Sequence, residues 1–112
     1  MSESGISNFF GNLATQTADT VTFSKTELPF TAKPDNNGEQ IFAAIVKRAR
    51  NGMSVGRFEG NPDQNITLED GLTERAYRTE NGLEVPYLKT QVIVSFYKRD
   101  EALSAGIFPD DY

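Results

Sequence analysis

Asn81-Gly82 sits between two alternating segments, residues 72–79 and 83–99. Both residue types tolerate positive φ, which a two-residue turn needs if its twist is to match that of the strands on either side. The pair therefore predicts a β-hairpin and also its register. Glu80 faces Leu83, Arg78 faces Val85, Ala76 faces Tyr87 and Glu74 faces Lys89. Side chains alternate along a strand. One side then collects Leu88, Val92, Val94 and Phe96, joined by Tyr77, and is the expected core face. The other collects Arg78, Tyr87, Lys89, Gln91, Tyr97 and Arg99, with Ile93 among them. Pro86 has no N–H to donate to a ladder and predicts a bulge or an edge position.

The remaining chain supplies less. Residues 39–50 carry an apolar stripe of Ile41, Phe42, Ile45 and Ala49 at helical spacing, with Ala44 and Val46 on its flanks. Asn37 and Gln40 stand in capping-box positions ahead of it, and Asn51-Gly52 follows as a stop. Residues 20–27 alternate Val21 and Phe23 with Thr and Ser, as a strand does. Residues 53–59 read as a strand interrupted by Gly56, and Ile66 with Leu68 as a short strand ending near Asp70-Gly71. The expected fold is α+β: about five mostly antiparallel strands, as an OB-like barrel or an open sheet, with one amphipathic helix. Three segments are expected: a flexible N-terminal arm over 1–19, one globular domain over 20–99, and an acidic tail over 100–112. Within the arm, Ile6, Phe9, Phe10 and Leu13 share a helical face, suited to docking on the core or on a second subunit.

Composition excludes several chemistries. There is no cysteine and no histidine. Disulfides, thiol nucleophiles, Ser-His devices and most transition-metal sites are therefore out of reach. No glycine-rich phosphate loop occurs. Arg57, Glu59, Asp63, Glu69 and Asp70 cluster in sequence, but in turn-rich polar surroundings where solvated acids are the rule. No enzyme, cofactor or metal is expected. No apolar run reaches the length of a membrane span, and Glu3 stands where a signal peptide carries bases. A cytoplasmic protein without membrane contact is the expectation.

The net charge is −5, from 11 bases and 16 acids. Four of those acids follow Arg99, the last base, so residues 1–99 are nearly neutral. Cations interleaved with tyrosine on an open sheet face suit single-stranded nucleic acid: rings stack on bases and cations follow phosphates. The candidate binding residues are Arg78, Tyr87, Lys89, Tyr97 and Arg99. The competing reading is a solvated strand face with cross-strand packing. The chain end, Phe108, Pro109, Asp110, Asp111 and Tyr112, combines acids with aromatics. It resembles the acidic, aromatic-ended C-terminal tips of bacterial and bacteriophage single-stranded DNA-binding proteins. It departs from them in ending on tyrosine after only two adjacent acids. The resemblance implies partner contact through those five residues. The expected function is a non-enzymatic, homo-oligomeric single-stranded nucleic-acid-binding protein. The alternative is a small structural or assembly protein, a coat, decoration or inhibitor subunit, whose termini make intersubunit contacts.

Overall fold

The computed structural model describes residues 5–99 and 106–112. They form an α+β arrangement with three α-helices: α1 (Ser7–Phe10), α2 (Gly38–Gly52) and α3 (Val55–Gly60). Two separate antiparallel sheets hold two strands each: β1 (Thr15–Gln16) with β2 (Val21–Thr22), and β3 (Ile66–Glu80) with β4 (Leu83–Phe96). Neither sheet closes. Short 3₁₀ turns occur at Lys25–Glu27 and Pro109–Asp111.

The capping box predicted for α2 is present. Gln40 N donates to Asn37 Oδ1 at 2.8 Å, and Asn37 N donates to Gln40 Oε1 at 3.1 Å. Two of the helix's orphan N–H donors are satisfied reciprocally. The buried stripe is rotated from the expected one. Ala44 and Ala49 are buried, whereas Phe42 is 67% exposed. Arg48 explains part of that rotation. Its guanidinium donates to Ser7 O, Glu27 O and Asn12 Oδ1, at 2.8, 3.2 and 3.2 Å, pinning α1 and the 3₁₀ turn against this side of α2. Gly11 makes the close passage possible: it lies at φ +102°, and a Cβ there would sit 2.5 Å from Glu27 Cβ.

Three strand expectations need correction. Residues 53–59 were expected to be extended, and instead Val55–Gly60 is helical. Ser54 is the reason: its side chain accepts from Arg57 N, a helix N-cap that competes with extension. The strand over 20–27 shrinks to Val21–Thr22, because the chain turns into a 3₁₀ helix at Lys25. The two strands expected on either side of Gly71 are one. β3 runs through a bulge in which Gly71 and Leu72 together oppose Gln91. Four strands thus stand in place of about five, and three α-helices in place of one, among the described residues.

The hairpin register is the predicted one: Glu80↔Leu83, Arg78↔Val85, Ala76↔Tyr87 and Glu74↔Lys89. Asn81 and Gly82 have φ values of 52° and 78°, the doubly positive pattern of a type I′ turn. Of the two roles open to Pro86 the bulge is not used there: it pairs in register with Tyr77.

The core is small and sits at the base of the hairpin. Ala49, Met53 and Leu68 are its buried members, with Phe9, Val46, Ile66 and Val92 packed against them. Met53 O also accepts from Leu68 N at 2.8 Å, so the helical layer grips the lower edge of β3 by a backbone bond. Buried Gln64 donates to Ser54 O and Ile66 O, tying the start of α3 to the start of β3. Beyond this base no further layer covers the hairpin among the described residues. Fifteen residues of β3 span about 50 Å at the strand rise, and the longest dimension of the molecule is 51 Å. The radius of gyration is 17.1 Å, against about 13 Å for a compact chain of this length. Among the described residues no helix is long and apolar enough to cross a membrane.

The expected core face is largely uncovered. Val92 packs at the base, but Leu88 is 76% exposed and Tyr77 58%. Val94 and Phe96 are also exposed. The alternation was right, and the layer expected over it is absent among the described residues. The proposed boundary at residue 19 falls inside the turn joining β1 to β2, so the two paired strands lie on either side of it.

Candidate interaction surface

The five residues read as a nucleic-acid platform fall into two groups. Arg78, Tyr87 and Lys89 lie together near the hairpin tip. Tyr97 and Arg99 lie at its base. Tyr87 and Tyr97 share a nominal side of β4, but ten residues separate them by about 33 Å. Two-stranded ribbons also coil more strongly than wider sheets, so the two rings do not form one flat stacking face.

At the tip, the Arg78 guanidinium carbon lies 4.5 Å from the Tyr87 ring centroid, a cation–π contact. The Tyr87 hydroxyl donates to Glu80. Lys89 Nζ lies 2.8 Å from Glu74 Oε1. Two acids therefore share this face with its two cations, and its local charge is balanced. Both acids lie on β3, as Arg78 does, and the register sets them beside Tyr87 and Lys89 of β4.

At the base, Tyr97 stacks on Phe58 of α3, with centroids 4.3 Å apart and planes 28° from parallel. Tyr97 N donates to Asn65 O at 2.7 Å, continuing the ladder one step past β4. A shallow depression of about 260 Å³ is lined here by Phe58, Asn61, Gln64, Tyr97, Lys98 and Arg99. Phe58 does not stand out as a site residue in the sequence, because residues 53–59 carry a strand-like pattern. Its three-residue spacing from Val55, following Ser54, is the signal that finds it.

The chain end lies against this base. Tyr112 meets Phe96 edge-on at 5.4 Å, Lys98 sits 4.8 Å from the Phe108 centroid, and Lys98 Nζ is 3.2 Å from Asp111 Oδ2. Pro109, Asp110 and Asp111 form the 3₁₀ turn that brings Tyr112 back. Phe108 remains 48% exposed.

Elsewhere, Arg50 and Asp70 form a two-pronged ion pair between α2 and β3, with Nε donating to Oδ1 at 2.6 Å. Its hydrogen bond, and secondly the charge of Asp70, raise the arginine pKa above its ordinary value. Among the described residues no group of three acidic or other ligating side chains gathers as a metal site.

The most unusual surface is apolar. Leu72, Tyr77, Leu83, Leu88, Ile93 and Val94 are all exposed, on both sides of the same ribbon. One edge is also open. Alternate pairs in an antiparallel ladder bond to each other, and the intervening ones aim their N–H and C=O outward. Counting from the pair that closes the turn, Glu80↔Leu83, the outward residues of β3 are Thr79, Tyr77, Arg75 and Thr73. On β4, Pro86 occupies an outward position and presents no N–H. No known protein family, curated protein or solved structure matches the chain.

Proposed function

We propose that this chain is a small, non-enzymatic assembly protein: a helical base that carries a β-ribbon through which copies associate. The observation carrying this reading is the ribbon beyond residue 71, where large apolar side chains lie exposed on both faces without a covering layer among the described residues. An isolated two-stranded hairpin is marginal in water. Exposed apolar surface on this scale marks interaction sites in soluble proteins. In this reading a wider sheet arises between copies, in place of the OB-like barrel expected within one chain. The tail residues Phe108 to Tyr112 are a further contact for a protein partner, and the cytoplasm is the proposed setting.

Shortening the ribbon tests it. Replacing residues 75–88 by Asn-Gly leaves Glu74 and Lys89 as the closing pair of a new two-residue turn, with their ion pair kept. The base should fold with unchanged helical signal. Light scattering should give an oligomer for the intact chain and a monomer for the shortened one. A monomeric intact chain at high concentration overturns the reading.

A second reading keeps a specific observation of its own: single-stranded nucleic-acid binding at Arg78, Tyr87 and Lys89, three adjacent groups of stacking and phosphate chemistry on one exposed face. Tyr97 and Arg99 would bind a separate stretch of strand at the base. Because Glu74 and Glu80 share the tip face, binding should be modest and should weaken steeply with salt. Fluorescence titration with a labelled oligonucleotide at low and high salt decides it, and no signal at low salt ends it.

A further inference from the structure

We infer that two copies join through the outer edges of β3, antiparallel, about a twofold axis at Ala76, making one four-stranded sheet in the order β4-β3-β3-β4. The inference rests on the assembly reading above and specifies its contact.

Edge choice comes first. The lower part of the β3 edge is already used, where Leu68 N donates to Met53 O. From Thr73 to Thr79 that edge has no partner strand among the described residues and carries no proline. The β4 edge is blunted at the tip by Pro86, a common guard against strand addition. Addition of a strand to the open edge satisfies its outward N–H and C=O groups.

Charge then selects the register. Outward-pointing residues must face outward-pointing residues, so odd numbers oppose odd numbers across the axis. An axis at Glu74 sets that acid against its own copy, and an axis at Arg78 does the same with that base. An axis at Arg75 opposes two arginines. An axis at Tyr77 opposes Glu74 to Glu80 of the second copy, twice. With the axis at Ala76 these clashes vanish. Glu74 then faces Arg78 of the second copy, twice by symmetry. Thr73 faces Thr79, and Arg75 faces Tyr77, also twice. Opposite charges, paired threonines and cation–aromatic neighbours all favour cross-strand pairing. The residue on the axis is small, so the backbones approach without obstruction. On one face Lys89, Glu74 and Arg78 of the second copy form a continuous row. On the other, the stem of Arg75 lies between Leu88 and Tyr77 of the second copy, covering two side chains exposed in the single chain. A twofold contact of this kind closes on itself, and Pro86 blunts the outer edges of the new sheet.

Cysteine scanning tests the register directly, because the chain has no cysteine of its own. On the axis, the two Ala76 residues form a non-hydrogen-bonded pair with Cα atoms about 4.5 Å apart, within the disulfide range of about 4.4–6.8 Å. Full-length Ala76→Cys, held with oxidised glutathione, should become a disulfide-linked dimer on a non-reducing gel. Arg75→Cys and Tyr77→Cys lie too far from their own copies and should remain mostly uncrosslinked. Arg75→Pro removes an outward N–H while sparing the intrachain ladder, and should halve the mass in light scattering with an unchanged circular dichroism spectrum. If the wild type associates but Ala76→Cys crosslinks no better than its neighbours, this register is wrong and the assembly reading stands. A wild type that stays monomeric overturns both.

Discussion

The base and the tip of the same hairpin are built from one ladder and live in different environments. At the base, Leu68 is 5% exposed and Met53 2%, and side chains from α1, α2 and β4 close over them. Toward the tip, Leu88 is 76% exposed on a strand of equally good register. Backbone pairing is therefore not what distinguishes a stable region from an unsupported one here. Coverage is. A strand residue contributes its full transfer energy, roughly 1.5–3 kcal/mol for a large aliphatic side chain, only when another layer removes it from water.

That contrast is open to attack at several points. The largest effect is expected in the core: Leu68→Ala should lose about 2–5 kcal/mol of stability in denaturant unfolding. A loss below 1 kcal/mol would mean that the base is no better packed than the tip. Gly11→Ala comes next. Its Cβ would meet Glu27 at a backbone conformation that alanine disfavours, at a cost of about 1–3 kcal/mol. Its nearest control is Gly56→Ala, where no atom lies within 4 Å of the added Cβ. Asn37→Ala should cost about 1 kcal/mol by removing the helix cap, and a parallel fall in helical circular dichroism would place the loss in α2. The smallest effect is at the tip. Leu88→Ser should change the stability of the monomer by less than about 0.5 kcal/mol while weakening association. A strong destabilisation of the monomer would show that the tip is covered after all.

The candidate site divides along the same line. Arg78, Tyr87 and Lys89 are adjacent because the turn dictates their register, and that grouping was legible from Asn81-Gly82 alone. Tyr97 was on the expected side of its strand, yet its ring stacks on Phe58, which local pattern assigned to the wrong element. The register alone sets Glu74 opposite Lys89. It does not bring Glu80 to the Tyr87 hydroxyl, because diagonal contacts depend on ribbon twist as well. The tail illustrates the same division. Its acids and aromatics are plain in the chain, whereas the placement of Asp111 on Lys98 and Tyr112 on Phe96 needs the strand end that they fold against.

Turn chemistry and capping act over two to four residues, through φ preferences and side-chain bonds to nearby backbone. For that reason the type I′ turn, the hairpin register and the capped helix α2 could be read from the amino acids in order. Two of the failures share the opposite property. Whether Gly71 ends a strand or bulges it, and whether Leu88 faces a core or water, depend on residues far away in the chain. The Ser54 cap is local, and its signal is masked by the apolar residues Met53, Val55 and Phe58 around it. Alternation says which side chains go together, but which side another layer covers is settled by packing, and packing is a property of the whole fold.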